Sequence, residues 1–248
     1  MIGKNYAYQV VAGRATGFFE DREFNLYMGA GSLGASLDDF NGDNFDHSSL
    51  HFLHGASISL TQTGARPIAN NPVPSGTPSW GKEFKAQSIK YANRTLSIGA
   101  QGASMPWKHH YLDLDPTYKD VFGDPLLRIT FDFEEQDRQL VAFMGEKTEM
   151  IMKEMGASKV EANRKLGPYN IVPYQSTHNT GGAIMGADPA TSAVNSYLQT
   201  WEAENLFVVG ASAFPHNSGY NPTGTVGALA YRAAEGILKY REKGGILV

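Results

Sequence analysis

Cysteine is absent from this chain of 248 residues, which excludes disulfides, thiolate metal sites and cysteine nucleophiles within it. A basic excess is absent too, since 21 Lys and Arg oppose 25 Asp and Glu for a net charge of −4, and this balance predicts no nucleic-acid partner. No apolar run approaches the roughly 18 residues that a membrane-spanning helix needs. The N-terminus likewise shows no apolar stretch typical of a signal peptide. The hydrophobic content of 42% is ordinary and suffices for one large or two small domains.

The hydrophobic pattern predicts an α+β fold, a mostly antiparallel sheet covered by helices on one face, because strands and helices occur without regular βα alternation. The clearest helix spans residues 134–155, with acidic residues in its first turn and Gly156 as its stop. Its predicted apolar face comprises Leu140, Phe143, Met144, Lys147, Met150, Ile151 and Met155. A second helix is predicted over residues 82–92. Strands are predicted over residues 6–19, 48–62, 95–105, 111–115 and 126–133.

The tail of the chain departs from this pattern. Residues 206–209 are predicted to form a buried strand, a Gly-rich turn follows, and a helix is predicted over residues 223–240. This succession is typical of one βα unit in an α/β layer. At the other end, the turn at residues 3–6 leads directly into a strand, which favours the C-terminal portion of a longer protein.

A glycine motif and a group of three histidines resemble functional sites, but each is interpreted as purely structural. Residues 29–34 match the Gly-x-Gly-x-x-Gly spacing of a dinucleotide-binding turn, but residues 41–42 break the helix that should follow it, so a plain Gly-rich turn is favoured. Strand alternation places His47 and His51 on one face and His54 on the other. These histidines therefore do not converge. No metal site is predicted from them, and a metal-dependent hydrolase is disfavoured.

A histidine and an asparagine in the last quarter are the candidate catalytic residues. His178 precedes the pair Gly181-Gly182, which lets another group approach closely. Asn221 precedes Pro222, and the small residues beyond this proline predict an open helix N-terminus whose amides can stabilise an anion or a polarised carbonyl edge. A positioned histidine is suited to accept an alcohol proton near neutral pH. For His178 taken alone, a structural role is the alternative.

Three segments carry a resemblance to a known family. They are Ser-Thr-His-Asn-Thr-Gly-Gly at 176–182, Asn-Leu-Phe-Val-Val-Gly-Ala-Ser-Ala-Phe-Pro at 205–215 and Gly-Tyr-Asn-Pro-Thr-Gly-Thr at 219–225. In combination they resemble the C-terminal portion of the glucose–methanol–choline (GMC) flavoprotein oxidoreductases. The likeness is greatest to the bacterial sugar and sugar-acid dehydrogenases of the gluconate 2-dehydrogenase large-subunit type. Residues 3–6 resemble the family's link between its FAD domain and its substrate domain, so the resemblance spans nearly the whole chain.

The resemblance implies an FAD-dependent dehydrogenase that oxidises an alcohol group of a sugar or sugar acid by hydride transfer to flavin. It implies that His178 is the base and that Asn221 is its hydrogen-bonding partner at the substrate oxygen. Substrate contacts are expected from loops such as residues 38–46 and 63–80. Contacts to FAD are implied for Gly210, Ala211, Asn221, Pro222 and Thr223.

The resemblance also divides the chain. Residues 1–200 are expected to form the substrate-binding domain, and residues 201–248 to supply a strand and a helix that return to the FAD-binding domain. The N-terminal dinucleotide-binding part is missing from this sequence, so the chain alone is expected neither to retain FAD nor to turn over. Electron-transfer subunits and a periplasmic or membrane-associated location are implied for the whole protein. The alternative is a non-catalytic carbohydrate-binding or interaction module derived from a truncated GMC protein.

Overall fold

The computed structural model describes residues 1–25, 34–60, 72–172 and 177–247, which belong to two compact units. The first, here called the histidine unit, comprises Met1–Val10, Ala103–Phe133 and Pro168–Val248. The second, the sheet unit, comprises Val11–Gly102 and Glu134–Gly167. Most of the glycine motif at residues 29–34, and Ser176 of the first family segment, lie outside the described residues.

Nine strands and three α-helices occur in these described ranges. The strands are β1 (Ala7–Tyr8), β2 (Val11–Phe18), β3 (Ala35–Leu37), β4 (Ala56–Leu60), β5 (Thr95–Gly102), β6 (Tyr111–Lys119), β7 (Pro125–Thr130), β8 (Lys159–Asn163) and β9 (Asn179–Thr180). The helices are α1 (Gly81–Tyr91), α2 (Glu135–Glu154) and α3 (Thr223–Lys243), with single 3-10 turns at Gly42–Asn44 and Ala211–Ala213. None of the helices in this part of the chain combines the length and the hydropathy that a membrane crossing requires.

The sheet unit is built on a five-stranded antiparallel sheet in the order β3–β4–β5–β2–β8. Alternation along β5 buries Leu96, Ile98 and Ala100 and leaves the intervening residues half-buried. Phe18 of β2 joins this core. Helix α2 packs on β2, β5 and β8. The antiparallel sheet with its covering helix confirms the predicted α+β class.

The two ends of α2 agree with the local signals in the sequence. A capping box starts the helix, because the Glu134 side chain accepts from the Asp137 backbone N–H and the Asp137 carboxylate accepts from the Glu134 N–H at 2.9 Å. Gly156, with φ +86, follows the last turn and ends it. The predicted span of residues 134–155 is therefore confirmed to within one residue at each end.

The buried face of α2 differs from the predicted one. Leu140 and Met144 are buried as predicted, but Met150 is 50% exposed. The buried set is Asp137, Leu140, Val141, Met144, Gly145, Thr148 and Met152. The cause is a bulge in β2, where Gly13 adopts φ +68 at a shift of register and lies against the backbone of Gly145. Only small residues allow two backbones to approach this closely. A prediction based on the spacing of apolar residues does not identify such positions.

Two short antiparallel pairs occur in the histidine unit. β1 pairs with β9 in the register Ala7–Thr180 and Tyr8–Asn179, while β6 and β7 form a separate ribbon. A small apolar core ties the chain after β9 to the 3-10 turn and to α3. Its buried members are Ala183, Ala193, Val194, Leu198, Ala213 and Ala233.

The strand predicted over residues 206–209 is not formed. A single isolated bridge joins Phe207 to Gln199, and Leu206 and Val209 are 53% and 49% exposed. A strand requires a continuous row of backbone partners. In this part of the described chain, two hydrogen bonds flank the bridge, and a third from the Leu206 N–H to the Ala203 carbonyl oxygen belongs to a turn.

The strand predicted over residues 48–62 is shorter than expected. β4 begins at Ala56, so His47, His51 and His54 lie in the turns that precede it. Their assignment to opposite faces of a strand was therefore wrong, because strand alternation does not apply to turn residues. His54 adopts φ +63, which no regular strand accommodates.

Candidate active site

The pairing of β1 with β9 determines the position of His178. Because Tyr8 pairs with Asn179, the following residue Gln9 faces His178, and the Gln9 backbone N–H donates to the His178 carbonyl oxygen at 3.4 Å. His178 has φ +63, a left-handed conformation that is uncommon for a residue with a side chain. Asn5, His54 and Leu198 share this conformation, so it identifies a tight turn and does not by itself mark a functional residue.

Gly181 allows the close approach that the sequence predicts for the Gly181-Gly182 pair. It has φ +78, and a Cβ atom there would lie 2.8 Å from the carbonyl carbon of Asn5 and 3.2 Å from the Cα atom of Tyr6. Glycine alone fits this position without displacing the backbone. The approaching group is therefore the N-terminal segment of the same chain, which Gly181 holds beside β9.

The imidazole of His178 is bound on one side. Its Nδ1 atom forms a hydrogen bond with Oε1 of Gln9, a residue that is only 2% exposed. Partial burial lowers the pKa of His178 below its ordinary value of 6.5, because desolvation disfavours the charged imidazolium. At pH 7 the ring is therefore mostly neutral, which is the form that accepts a proton.

Gln9 also links His178 to the turn that carries Asn221. The Nε2 atom of Gln9 donates to the carbonyl oxygens of Ser218 at 3.0 Å and of Tyr220 at 3.5 Å. The two predicted catalytic segments, which are remote in sequence, thus meet at one buried side chain. Asn221 directly follows Tyr220, and its side chain is exposed.

A cavity of about 520 Å³ lies beside this turn, a volume typical of small-molecule sites. Its lining combines apolar and polar residues: Met185, Phe214, Pro215, His216, Asn217, Ser218, Tyr220, Asn221, Pro222, Thr225 and Leu229. Asn217 is 2% exposed, and its side-chain nitrogen has no hydrogen-bond partner among the described residues. This nitrogen has almost no accessible surface, so it lies behind the wall of the cavity. His178 is not one of the described lining residues and reaches this wall through Gln9.

The N-terminus of α3 contributes to the same region. The helix begins at Thr223, and the buried Pro222 at the N-cap position makes no side-chain hydrogen bond to its first turn. The first backbone N–H groups of an α-helix have no acceptor within the helix. The end of α3 can therefore donate hydrogen bonds to an anionic or carbonyl edge.

Gly210 and Ala211, which are predicted to contact FAD, do not lie in the described lining of the cavity. Gly210 has φ +127 and precedes the 3-10 turn, in which the Ala211 carbonyl oxygen accepts from the Gly181 N–H at 3.2 Å. The contact of Gly210 and Ala211 with FAD stays a prediction, as do the FAD contacts of Asn221, Pro222 and Thr223.

Sequence reasoning missed Gln9 and Asn217. A glutamine inside the apolar run at residues 8–11 is a signal, because a buried polar side chain needs a partner. The partner, however, lies 169 positions away. Only the pairing of β1 with β9 identifies it.

The family is identified by a match of sequence, while the likeness to a solved structure shows the fold alone. The fold is similar to that of the formate oxidase of Aspergillus oryzae RIB40, with a TM-score of 0.52 and 11% identity over 98% of this chain and 48% of that chain. The family model of the GMC oxidoreductases matches residues 109–230. The chain belongs to the GMC oxidoreductases, and the predicted family is confirmed.

Two similar proteins have more specific names than the family. The chain is 44% identical to the gluconate 2-dehydrogenase flavoprotein of Pantoea cypripedii, over 100% of this chain and 41% of that protein. It is 27% identical to the fructose dehydrogenase large subunit of Gluconobacter japonicus, over 88% of this chain and 38% of that protein. The chain thus spans about two fifths of the length of these relatives. Both names are those of dehydrogenases.

Proposed function

We propose that this chain is the C-terminal, substrate-domain portion of an FAD-dependent dehydrogenase that oxidises a CH–OH group of a sugar acid, with gluconate as the first candidate substrate. The strongest support is the 44% identity to the Pantoea gluconate 2-dehydrogenase flavoprotein along 100% of this chain. The Gluconobacter relative makes a sugar the second candidate. Because that relative is called a large subunit, we also propose that further subunits take up the electrons.

The cavity beside Asn221 suits a flavin by its chemistry. Its wall combines the apolar side chains of Phe214 and Leu229 with the start of α3, where the first backbone N–H groups have no acceptor within the helix. Donors of this kind suit the acceptor-rich pyrimidine edge of a flavin, which becomes negatively charged on reduction. When bound, FAD supplies the acceptor for the hydride that leaves the carbinol carbon.

The proposed roles of His178 and Asn221 follow from their surroundings. His178 accepts the proton of the substrate hydroxyl at Nε2, since Nδ1 is engaged with Gln9. Removal of this proton raises the electron density on the substrate oxygen and weakens the neighbouring C–H bond. Asn221 donates a hydrogen bond from its side-chain amide to the same oxygen and so orients the alcohol.

The surface of α3 supports a contact with a further portion of the protein. Only Ala233 and Gly236 of this helix are buried within the described chain, whereas Tyr231 is 80% exposed and Leu238 is 50% exposed. Contiguous exposed apolar residues mark interaction surfaces. We therefore propose that residues 201–248 pack against an FAD-binding portion, while residues 1–200 form the substrate-binding domain.

Anaerobic flavin reduction tests the proposed activity. An N-terminal FAD-binding portion of GMC type is joined to this chain to give the restored flavoprotein, and its flavin absorbance is followed after mixing with gluconate, other sugar acids and fructose. We expect a sugar acid to bleach the flavin. A yellow protein that stays oxidised with every compound contradicts the proposal. A colourless protein that still binds a sugar supports the non-catalytic carbohydrate-binding module instead.

The pH dependence of flavin reduction follows from His178. Its pKa lies below 6.5, so the neutral base predominates at neutral pH and the protonated, inactive form accumulates only as the pH falls through that pKa. Stopped-flow rate constants between about pH 8 and about pH 5 are expected to stay level and then decline on the acid side of 6.5. A decline that is complete before the pH reaches 7 would be incompatible with His178 as the base.

A further inference from the structure

We infer that Gln9 is a positioning residue that selects the tautomer of His178 and thereby makes Nε2 the proton-accepting atom. This inference rests on the proposed function, because it specifies the atom at which the proposed base works. Gln9 is not among the described residues that line the cavity, so it acts through His178.

The orientation of the Gln9 amide follows from its second set of contacts. The carbonyl oxygens of Ser218 and Tyr220 lie 3.0 Å and 3.5 Å from the same terminal atom of Gln9. A backbone carbonyl can only accept a hydrogen bond, so this atom has to be the NH2 group and not the amide oxygen. The amide oxygen of Gln9 consequently faces His178.

This orientation determines which ring nitrogen carries the proton. The Gln9 amide oxygen can only accept, so Nδ1 of His178 has to carry a hydrogen to form the bond between them. In a neutral imidazole, a proton on Nδ1 leaves the lone pair on Nε2. Two backbone carbonyls therefore specify, through one glutamine, the basic atom of His178.

The burial of Gln9 strengthens its control over the tautomer of His178. Gln9 is 2% exposed, so bulk water does not compete for either end of its amide. Its backbone N–H also binds the His178 carbonyl oxygen at 3.4 Å, so the same residue holds both the backbone and the ring of the histidine. Tyr220, one of its two anchors, directly precedes Asn221. Gln9 thus sets the position of the base relative to the turn of the second catalytic residue.

Gln9→Met is the informative variant, since it keeps the length of the side chain and removes both of its hydrogen-bonding ends. In the restored flavoprotein we expect the rate constant of flavin reduction to fall about 100-fold, the usual cost of a misplaced reacting group. The substrate dissociation constant should change little. Tyr6→Phe is the control. It removes the 2.6 Å hydrogen bond from Tyr6 Oη to Asn179 Oδ1 beside His178, leaves Gln9 intact and should keep most of the rate.

Nitrogen-15 NMR of the histidine-labelled protein gives a readout that does not depend on turnover. The loss of signals in His178→Ala identifies those of His178. We expect a proton on Nδ1 in the unchanged protein, and in Gln9→Met the Nε2–H tautomer that exposed neutral imidazoles favour. An Nε2–H tautomer in the unchanged protein overturns the inference, and this result needs no folded Gln9→Met variant.

These measurements separate the inference from the proposed function. If His178→Ala reduces flavin at the normal rate, the proposed base is wrong, while the tautomer still tests Gln9. If His178→Ala loses the rate and Gln9→Met keeps it, only the role of Gln9 is overturned. Equal losses in Tyr6→Phe and Gln9→Met without a change of tautomer would indicate a general loosening of β1 and β9, and would also overturn that role.

Discussion

Replacement of His178 with Ala is expected to lower the rate constant of flavin reduction by about 10²- to 10⁴-fold, the usual contribution of a positioned general base. Without the imidazole, the hydroxyl proton of the substrate has no acceptor at the place that Gln9 and the turn at Ser218 prepare. Asn221 and the cavity remain, so the dissociation constant of the substrate should change far less. Single-turnover stopped-flow experiments on the restored flavoprotein separate these two quantities.

His216→Ala is the matched control for this variant. His216 is exposed and lines the same cavity as Asn221, so its replacement also removes an imidazole from the region but not the proposed base. We expect a rate close to that of the unchanged protein. A normal rate in His178→Ala rejects the assignment. A large loss confined to His216→Ala would assign the base to His216 instead.

Replacement of Gly13 with Ala is expected to destabilise the chain by about 2–5 kcal/mol. The left-handed conformation at φ +68 costs a residue with a Cβ atom about 1–2 kcal/mol. The added methyl group would also lie 2.7 Å from the carbonyl carbon of Met144 and 2.9 Å from the Cα atom of Gly145. Overpacking of this kind costs about 1–3 kcal/mol. Denaturant unfolding of the purified chain measures the sum.

Gly42→Ala separates the two contributions. Gly42 has φ +59, close to that of Gly13, but an added Cβ atom would meet nothing within 4 Å. Its replacement should therefore cost only the conformational part, about 1–2 kcal/mol. If both variants lose the same free energy of unfolding, the close contact between β2 and α2 adds nothing to the cost of Gly13→Ala.

The helix α2 shows how far local signals reach. Its capping box at Glu134 and its stop at Gly156 depend on neighbours in sequence, and both predicted ends are correct. Its buried face was predicted less well, because Gly145 enters the core where the bulge at Gly13 approaches, and Thr148 is buried as well. Backbone proximity between remote segments has no periodic signature in either segment.

The tail gives the complementary case. Residues 206–209 have the composition of a buried strand, yet Leu206 and Val209 are about half exposed and only Phe207 makes a bridge. Apolar composition predicts that a segment suits a sheet, but pairing needs partners along its length. The helix that follows was predicted correctly, since its hydrogen bonds are internal and its start at Pro222 is a local signal.

By itself the sequence determined the α+β class, both ends of α2, the GMC family and two candidate residues, His178 and Asn221. These follow from near neighbours or from motifs whose combination is specific, and no knowledge of remote contacts is required. Only the tertiary structure decided that Gln9 binds His178 and that its amide reaches the turn before Asn221. The pairing of β1 with β9 creates this link, and strand pairing joins residues whose separation along the chain carries no sequence pattern.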